Sequence, residues 1–128
     1  MCKYILGIDI SKSTFDIALL DADDNYVTGQ FNNSQHGFRS LRKWLQNRKV
    51  ETLHACMEAT GRYGDNLAAF LIDEGYDVSM VNPARIRAYG QSRLRRTKTD
   101  KTDAILIADF CATQSPPLWK MPTVYRSE

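Results

Sequence analysis

The distribution of apolar and polar positions predicts the order of strands and helices along the chain. Three short segments rich in β-branched and apolar residues, separated by polar turns, predict an antiparallel β-meander over residues 3–10, 14–20 and 26–31. Apolar residues then recur with helical spacing from Phe38 to about Arg48. Ser34 is positioned to cap the amino end of that helix.

The rest of the chain alternates between helices and strands. Strands are predicted over residues 52–57 and 77–81, and helices over residues 62–74, 84–91 and 100–112. Residues 92–99 contain almost no apolar side chains, so we predict an exposed, mobile loop there. A meander followed by alternating helices and strands predicts a mixed α/β sheet whose first, fourth and fifth strands are parallel. This is the ribonuclease H-like arrangement, parts of which other three-layer α/β folds share.

Length and composition indicate one globular domain. The chain has 128 residues, of which 43% are hydrophobic and 25% charged. We predict a domain over residues 1–114 and an exit segment over residues 115–128, which holds three of the four prolines. Because no apolar run approaches the ~18 residues of a membrane span and no signal peptide is evident, we expect a soluble, cytoplasmic protein with no membrane partner. Three widely spaced cysteines argue against a disulfide scaffold or a zinc knuckle.

Acidic residues lie at the carboxyl ends of two predicted strands and at the start of the last predicted helix. Asp9 lies at the carboxyl end of the first strand, and Glu58 lies at the end of the fourth. If these strands are parallel neighbours, both carboxylates emerge at the sheet edge where open α/β sheets bind ligands. Asp100 and Asp103 share one helix face, although residues in this position also cap helices and interact with the helix dipole. The four carboxylates predict a site for Mg²⁺ or Mn²⁺ that supports phosphodiester chemistry.

Basic residues are concentrated in the second part of the chain. Residues 1–82 carry 8 basic and 11 acidic side chains, whereas residues 83–128 carry 9 basic and 4 acidic ones. This asymmetry predicts a polyanionic partner, most simply a nucleic-acid backbone, although a solvated arginine-rich loop has the same pattern. Tyr63 can stack on a base, but a packed side chain is the simpler expectation. The candidate phosphate contacts are Lys12, Arg85, Arg87, Arg93, Arg95, Arg96, Lys98 and Lys101.

Four segments, taken together, resemble a known family. They are GIDISK (residues 7–12), MEATGRY (57–63), VNPARIRAYGQS (81–92) and TKTDKTDAILIA (97–108). In this order they resemble the amino-terminal domain of the DEDD transposases of the insertion-sequence 110 family, the Piv-type recombinases. The resemblance covers about residues 4–112, and four segments in register are far more specific than any one of them.

The resemblance implies a RuvC-like, ribonuclease H-type fold in which Asp9, Glu58, Asp100 and Asp103 form the catalytic, metal-binding tetrad. It also implies transposition or inversion of DNA by site-specific recombination, with a noncoding guide RNA that directs target choice. In this family a second, carboxyl-terminal domain carries a serine nucleophile, and the full-length protein is expected to form a homo-oligomer. Since the chain ends at Glu128, we expect a fragment that binds metal and nucleic acid but does not complete recombination alone.

Other functions are compatible with parts of this pattern. A RuvC-like junction resolvase or a ribonuclease H-type nuclease would use the same carboxylates, and a non-catalytic nucleic-acid-binding module would use the same basic residues. A phosphotransferase related to actin and the sugar kinases would share the Gly-Ile-Asp segment, but the chain has no GxGxxG or P-loop pattern. The TKTDKTDA segment and the basic loop favour the transposase over the nuclease.

Overall fold

The protein folds as a mixed β-sheet with helices on both faces, in a computed structural model that describes residues 4–21, 23, 25–59, 62–93 and 101–119. The strand order is β3-β2-β1-β4-β5, with β1–β2 and β2–β3 antiparallel and β1–β4 and β4–β5 parallel. The predicted meander and the predicted parallel strands are therefore confirmed. The elements are β1 (Tyr4–Ile10), β2 (Thr14–Leu20), β3 (Tyr26–Asn32), α1 (Gln35–Asn47), β4 (Leu53–Glu58), α2 (Asp65–Asp73), β5 (Asp77–Val81), α3 (Pro83–Arg93) and α4 (Lys101–Gln114).

Side chains alternate across the strands and form an apolar layer on each face of the sheet. On one face, Leu6, Ile8 and Met57 are fully buried against side chains of α1 and α2. On the other face, Cys56 packs with apolar residues of α3 and α4, and Ala18 packs with alanines of α4. Each fully buried aliphatic side chain contributes roughly 1.5–3 kcal/mol, so both layers stabilise the sheet.

Gly7 allows α4 to lie directly on β1. A Cβ atom at this position would overlap the backbone oxygen of Ala104 and the backbone nitrogen of Ala108. No larger residue fits between the strand and the helix backbone. The first turns of α4 are consequently fixed against the middle of β1.

The helix boundaries differ from the predicted ones by up to three residues, notably at the start of α2 and at the end of α3. The structure begins α2 at Asp65 rather than at residue 62, because residues 62–64 form a turn in which Gly64 is buried against Met57. It extends α3 through Arg93, so residues 92 and 93 are helical rather than part of a loop. One turn earlier in the same helix, the Tyr89 hydroxyl donates a hydrogen bond to Asp109 of α4 at 2.6 Å. The remainder of the predicted loop, residues 94–99, lies outside the described residues.

Two further local predictions can be compared with the structure. Ser34 is the amino-terminal cap of α1, and its hydroxyl accepts a hydrogen bond from the backbone N–H of Gly37 at 3.2 Å. The first residues of the predicted exit segment pack along β5, where the backbone N–H of Trp119 donates to the oxygen of Val78 at 2.7 Å. The boundary at residue 114 stays a prediction. In the described part of the chain, no helix is both long and apolar enough to cross a membrane.

Candidate metal and nucleic-acid site

Asp9 and Glu58 lie on neighbouring parallel strands at the carboxyl edge of the sheet. The register between β1 and β4 pairs Ile8 with Met57, and Asp9 and Glu58 are the next residue on each strand. Both belong to the face that carries α3 and α4, since Gly7 contacts α4 and Cys56 packs in the α3–α4 layer. The strand order thus brings together two carboxylates that are 49 positions apart in sequence.

Asp16 is a third carboxylate on this face, and the sequence analysis missed it. In the antiparallel pairing of β1 and β2, Asp16 lies directly opposite Asp9. Its Oδ1 atom accepts a hydrogen bond from the side-chain nitrogen of Gln30 on β3 at 3.0 Å. The short turn between the two strands could have indicated this pairing. A hairpin closed at residues 11–13 places positions 9 and 16 opposite each other.

Glu58 experiences the charges of both helices on this face. Partial burial raises the pKa of the Glu58 carboxyl above its ordinary value, and the negative charge of Asp103 raises it further. The Arg87 guanidinium acts in the opposite direction and lowers this pKa. Asp103 in the first turn of α4 and Arg87 on α3 are therefore electrostatic neighbours of the carboxylate that ends β4.

The predicted tetrad is only partly described by the structure. Asp9, Glu58 and Asp103 lie at the carboxyl edge or in the first turn of α4, whereas Asp100 lies outside the described residues. Among the described residues, no group of three histidine, cysteine, aspartate or glutamate side chains is arranged to hold a metal ion. The carboxylate oxygens nevertheless suit a hard divalent cation. Burial and the charge of Asp103 disfavour the ionised form of Glu58, and a bound cation would favour that form.

The described basic candidates lie in the turn after β1 and on α3. Lys12 is exposed in the turn after β1, and Arg85 and Arg87 are exposed on α3. The Arg85 guanidinium lies 5.4 Å from the centre of the Phe110 ring on α4, which gives it a cation–π contact. The backbones of Arg93 and Lys101 belong to α3 and α4, but their side chains are not described. Arg95, Arg96 and Lys98 lie outside the described residues.

Asn33 connects the loops that follow the two acidic strands. Its side-chain nitrogen donates to the backbone oxygens of Ser11 at 3.0 Å, Lys12 at 3.4 Å and Tyr63 at 3.1 Å. Its backbone N–H donates to the oxygen of Ser13 at 2.8 Å. Asn33 is not predicted from the sequence, because hydrogen bonds between distant segments have no periodic signature. The expectation that Tyr63 is packed was wrong, since the side chain is 50% exposed.

Comparison with known proteins identifies relatives over nearly the whole chain. The family model for DEDD transposases of the insertion-sequence 110 type, described as a transposase, matches residues 6–120. A pilin gene-inverting protein of Moraxella bovis is 45% identical over 122 residues, which cover 94% of this chain and 38% of that protein. A pilin gene-inverting protein of Moraxella lacunata is 44% identical with the same coverage. The chain therefore spans little more than a third of the length of these relatives.

The fold also resembles a solved structure of low sequence identity. Thermus thermophilus RuvC in complex with a Holliday junction substrate matches with a TM-score of 0.59 at 11% identity. The match covers 88% of this chain and 96% of that one. This similarity confirms the predicted RuvC-like, ribonuclease H-type fold.

Proposed function

The chain belongs to the DEDD transposase family of the insertion-sequence 110 type, and we propose that it is the metal-binding catalytic region of a DNA recombinase. The family match over residues 6–120 carries this proposal. The geometry supports it, because Asp9 and Glu58 end adjacent parallel strands and Asp103 acts electrostatically on Glu58. These are the positions from which carboxylates can hold cations beside a phosphodiester.

We propose that Asp9, Glu58, Asp100 and Asp103 hold Mg²⁺ or Mn²⁺. A bound cation at this edge would supply charge stabilisation at the phosphate oxygens of a DNA strand. The protein's own contribution is to hold two carboxylates in register on β1 and β4 and to fix α4 on β1 through Gly7. Arg87 keeps part of the negative charge of this cluster compensated when no cation is bound.

DNA is the proposed substrate, and the basic residues are its proposed contacts. Lys12, Arg85 and Arg87 are exposed close to the carboxyl edge and to α4, where they can neutralise phosphates. Recombination requires several DNA strands to be held together, so we propose that the full-length protein acts as a homo-oligomer. We further propose that a guide RNA selects the target and that a serine side chain acts as the nucleophile, as the family resemblance implies.

A nuclease with the same fold is the main alternative. The similarity to RuvC concerns the fold alone at 11% identity, and a hydrolase would use the same carboxylates. The family match and the 45% identity to a pilin gene-inverting protein favour recombination instead.

Calorimetric titration with Mn²⁺ tests the metal site directly. We expect the unmutated chain to bind Mn²⁺ and the Asp9→Asn variant to lose that binding, because the substitution removes a ligand charge at the centre of the edge. Asp73→Asn is the matched control, since Asp73 is an exposed residue at the far end of α2. It should bind Mn²⁺ as the unmutated chain does. Metal affinity that is unchanged in the double variant Asp9→Asn and Asp103→Asn would rule out the carboxylate site.

A further inference from the structure

Tyr63, in the turn at residues 62–64 that precedes α2, presents an aromatic ring to solvent. Tyr63 is 50% exposed and, with Leu118, is one of two large hydrophobic side chains that are exposed within the described residues. Its neighbour Gly64 is buried against Met57, which anchors the loop to the sheet. The ring is therefore accessible although the residue after it is packed against the sheet.

Asn33 ties the backbone that carries this aromatic ring to the backbone that carries a cationic side chain. One side-chain nitrogen of Asn33 donates to the backbone oxygens of Lys12 and Tyr63, so these two oxygens lie within two hydrogen-bond lengths of each other. The turn that carries Lys12 is further closed by a hydrogen bond of 2.9 Å. The backbone N–H of Ser11 donates it to the backbone oxygen of Thr14. An exposed lysine and an exposed tyrosine are thus joined side by side on two loops.

Both loops directly follow the strands that end in the acidic residues. Lys12 is three positions after Asp9, and Tyr63 is five positions after Glu58. Lys12 and Tyr63 therefore lie on segments that leave the same edge of the sheet as the acidic residues. The pairing of an aromatic surface with a cation is the combination that binds an unpaired nucleotide, because the base stacks on the ring and the phosphate meets the charge.

We propose that Tyr63 stacks on an unpaired base of the DNA strand that enters the acidic edge, with Lys12 contacting an adjacent phosphate. Asn33 is a positioning residue for both. This inference rests on the proposed function, because it takes DNA as the substrate. The stacking of Tyr63 adds one requirement to DNA binding: the strand must be unpaired beside the site. A base inside a duplex is not available to the ring.

Fluorescence anisotropy with two labelled single strands tests the stacking. One strand carries bases, and the other is an abasic strand with the same number of phosphates. We expect Tyr63→Ala to weaken binding of the base-carrying strand by about 5- to 150-fold, the range of one lost base–aromatic stack. Tyr63→Phe should retain the affinity, and Leu118→Ala is the control for loss of an exposed apolar side chain. Neither Tyr63 variant should change binding of the abasic strand.

Salt dependence separates the two proposed contacts. Tyr63→Ala should leave the slope of log K against log salt unchanged, whereas Lys12→Ala should reduce its magnitude by about 0.7, the value for one phosphate contact on a single strand. Asn33→Ala should weaken binding of the base-carrying strand more than that of the abasic strand, which a loss of stability alone would not do.

The outcomes distinguish this inference from the proposed function. If the unmutated chain binds neither strand, the DNA-binding function is contradicted and the stacking with it. If it binds and Tyr63→Ala binds equally well, or if Tyr63→Phe is as weak as Tyr63→Ala, only the stacking is overturned. An effect of Tyr63→Ala that is confined to an RNA strand of the same sequence would overturn the assignment to DNA.

Discussion

Asp103 in the first turn of α4 raises the pKa of Glu58 at the end of β4. The two residues are 45 positions apart in sequence, and the packing of α4 on the sheet brings their charges together. Burial of Glu58 acts in the same direction and is the larger cause, whereas Arg87 acts against it. The carboxyl edge therefore concentrates negative charge that is unfavourable for the folded chain without a cation.

Replacement of Glu58 by glutamine should stabilise the metal-free chain at neutral pH. Because the folded-state pKa of Glu58 is raised above the ordinary value of 4.5, the folded state binds more protons than the unfolded state above that pH, and stability falls as pH rises. Glu58→Gln removes this loss of stability. The difference in free energy of unfolding between the variant and the unmutated chain should therefore grow from about pH 4.5 upward and then level off. We expect a gain of at most about 1 kcal/mol, since solvent screens a partly exposed carboxylate.

Thermal unfolding measured across this pH range checks the prediction. Glu51→Gln is the control, because Glu51 is exposed before β4 and should leave the profile unchanged. A Glu58→Gln variant no more stable than the unmutated chain at any pH would contradict the electrostatic description.

Substitution of Gly7 should displace α4 and weaken the site. The Cβ atom of Gly7→Ala would overlap the backbone of Ala104 and Ala108, so the helix must move, and we expect a cost of about 1–3 kcal/mol or more. Because α4 carries Asp103, Mn²⁺ affinity should fall as well. Urea unfolding and Mn²⁺ calorimetry measure the two effects.

Gly29→Ala is the matched control for Gly7→Ala. At Gly29 a Cβ atom would lie 3.5 Å from the Phe31 ring, an ordinary contact. We expect a change of no more than about 1 kcal/mol, in the stabilising direction, because alanine has less conformational freedom in the unfolded chain. Equal costs for the two substitutions would show that the contact between β1 and α4 is not the cause.

Arg85 and Arg87 of α3 should differ in what their loss affects. Arg87→Ala should reduce the magnitude of the salt slope for duplex DNA by about 0.9, as expected for one phosphate contact, and should raise the pKa of Glu58 further. Arg85→Ala should have a similar effect on DNA but should also cost stability of about 0.5–1 kcal/mol, because its contact with Phe110 is lost. Anisotropy at several salt concentrations, carboxyl NMR titration and urea unfolding measure these quantities.

Arg39→Ala is the control for both arginine substitutions. Arg39 is exposed on α1, which packs on the opposite face of the sheet. Its loss should leave the salt slope unchanged. A slope that falls equally for Arg39→Ala would indicate diffuse attraction to DNA rather than contacts beside the acidic edge.

The sequence predicts the parts of the site that depend on periodicity. Short, nearly continuous apolar runs predict both β1 and β4, and their parallel pairing then places Asp9 and Glu58 at one edge. The prediction that Ser34 caps α1 is also confirmed, because capping is a local interaction that the residue type indicates.

The features that the sequence did not predict depend on contacts between distant segments. Asn33 joins two loops through three backbone oxygens, and no nearby residue indicates those partners. The start of α2 depends on the burial of Gly64 against Met57, which helical spacing alone does not report. Tyr63 was expected to pack because tyrosines commonly do, whereas its exposure is a property of the turn that holds it.

A buried polar network connects β4, β5 and the segment after α4. The Nε2 atom of His54 lies 2.7 Å from the Ser79 hydroxyl, which donates to the backbone oxygen of Pro116 at 3.2 Å. Since the Ser79 proton points to Pro116, Nε2 of His54 is the donor to Ser79. The Nδ1 atom is then the acceptor for the Cys111 thiol, whose sulfur lies 3.5 Å away.

Ser79→Ala should therefore destabilise the fold without affecting the metal site. The substitution leaves the His54 N–H and the Pro116 oxygen without this partner in a buried environment, and we expect a loss of about 1–3 kcal/mol in the free energy of unfolding. Mn²⁺ affinity should be unchanged, because Ser79 is two residues before the end of β5 and pairs with Cys56 rather than with Glu58. Ser40→Ala in α1 is the control and should cost little, since alanine favours a helix. Urea unfolding measures both variants. An equal loss in the free energy of unfolding for Ser79→Ala and Ser40→Ala would contradict the structural role of the network.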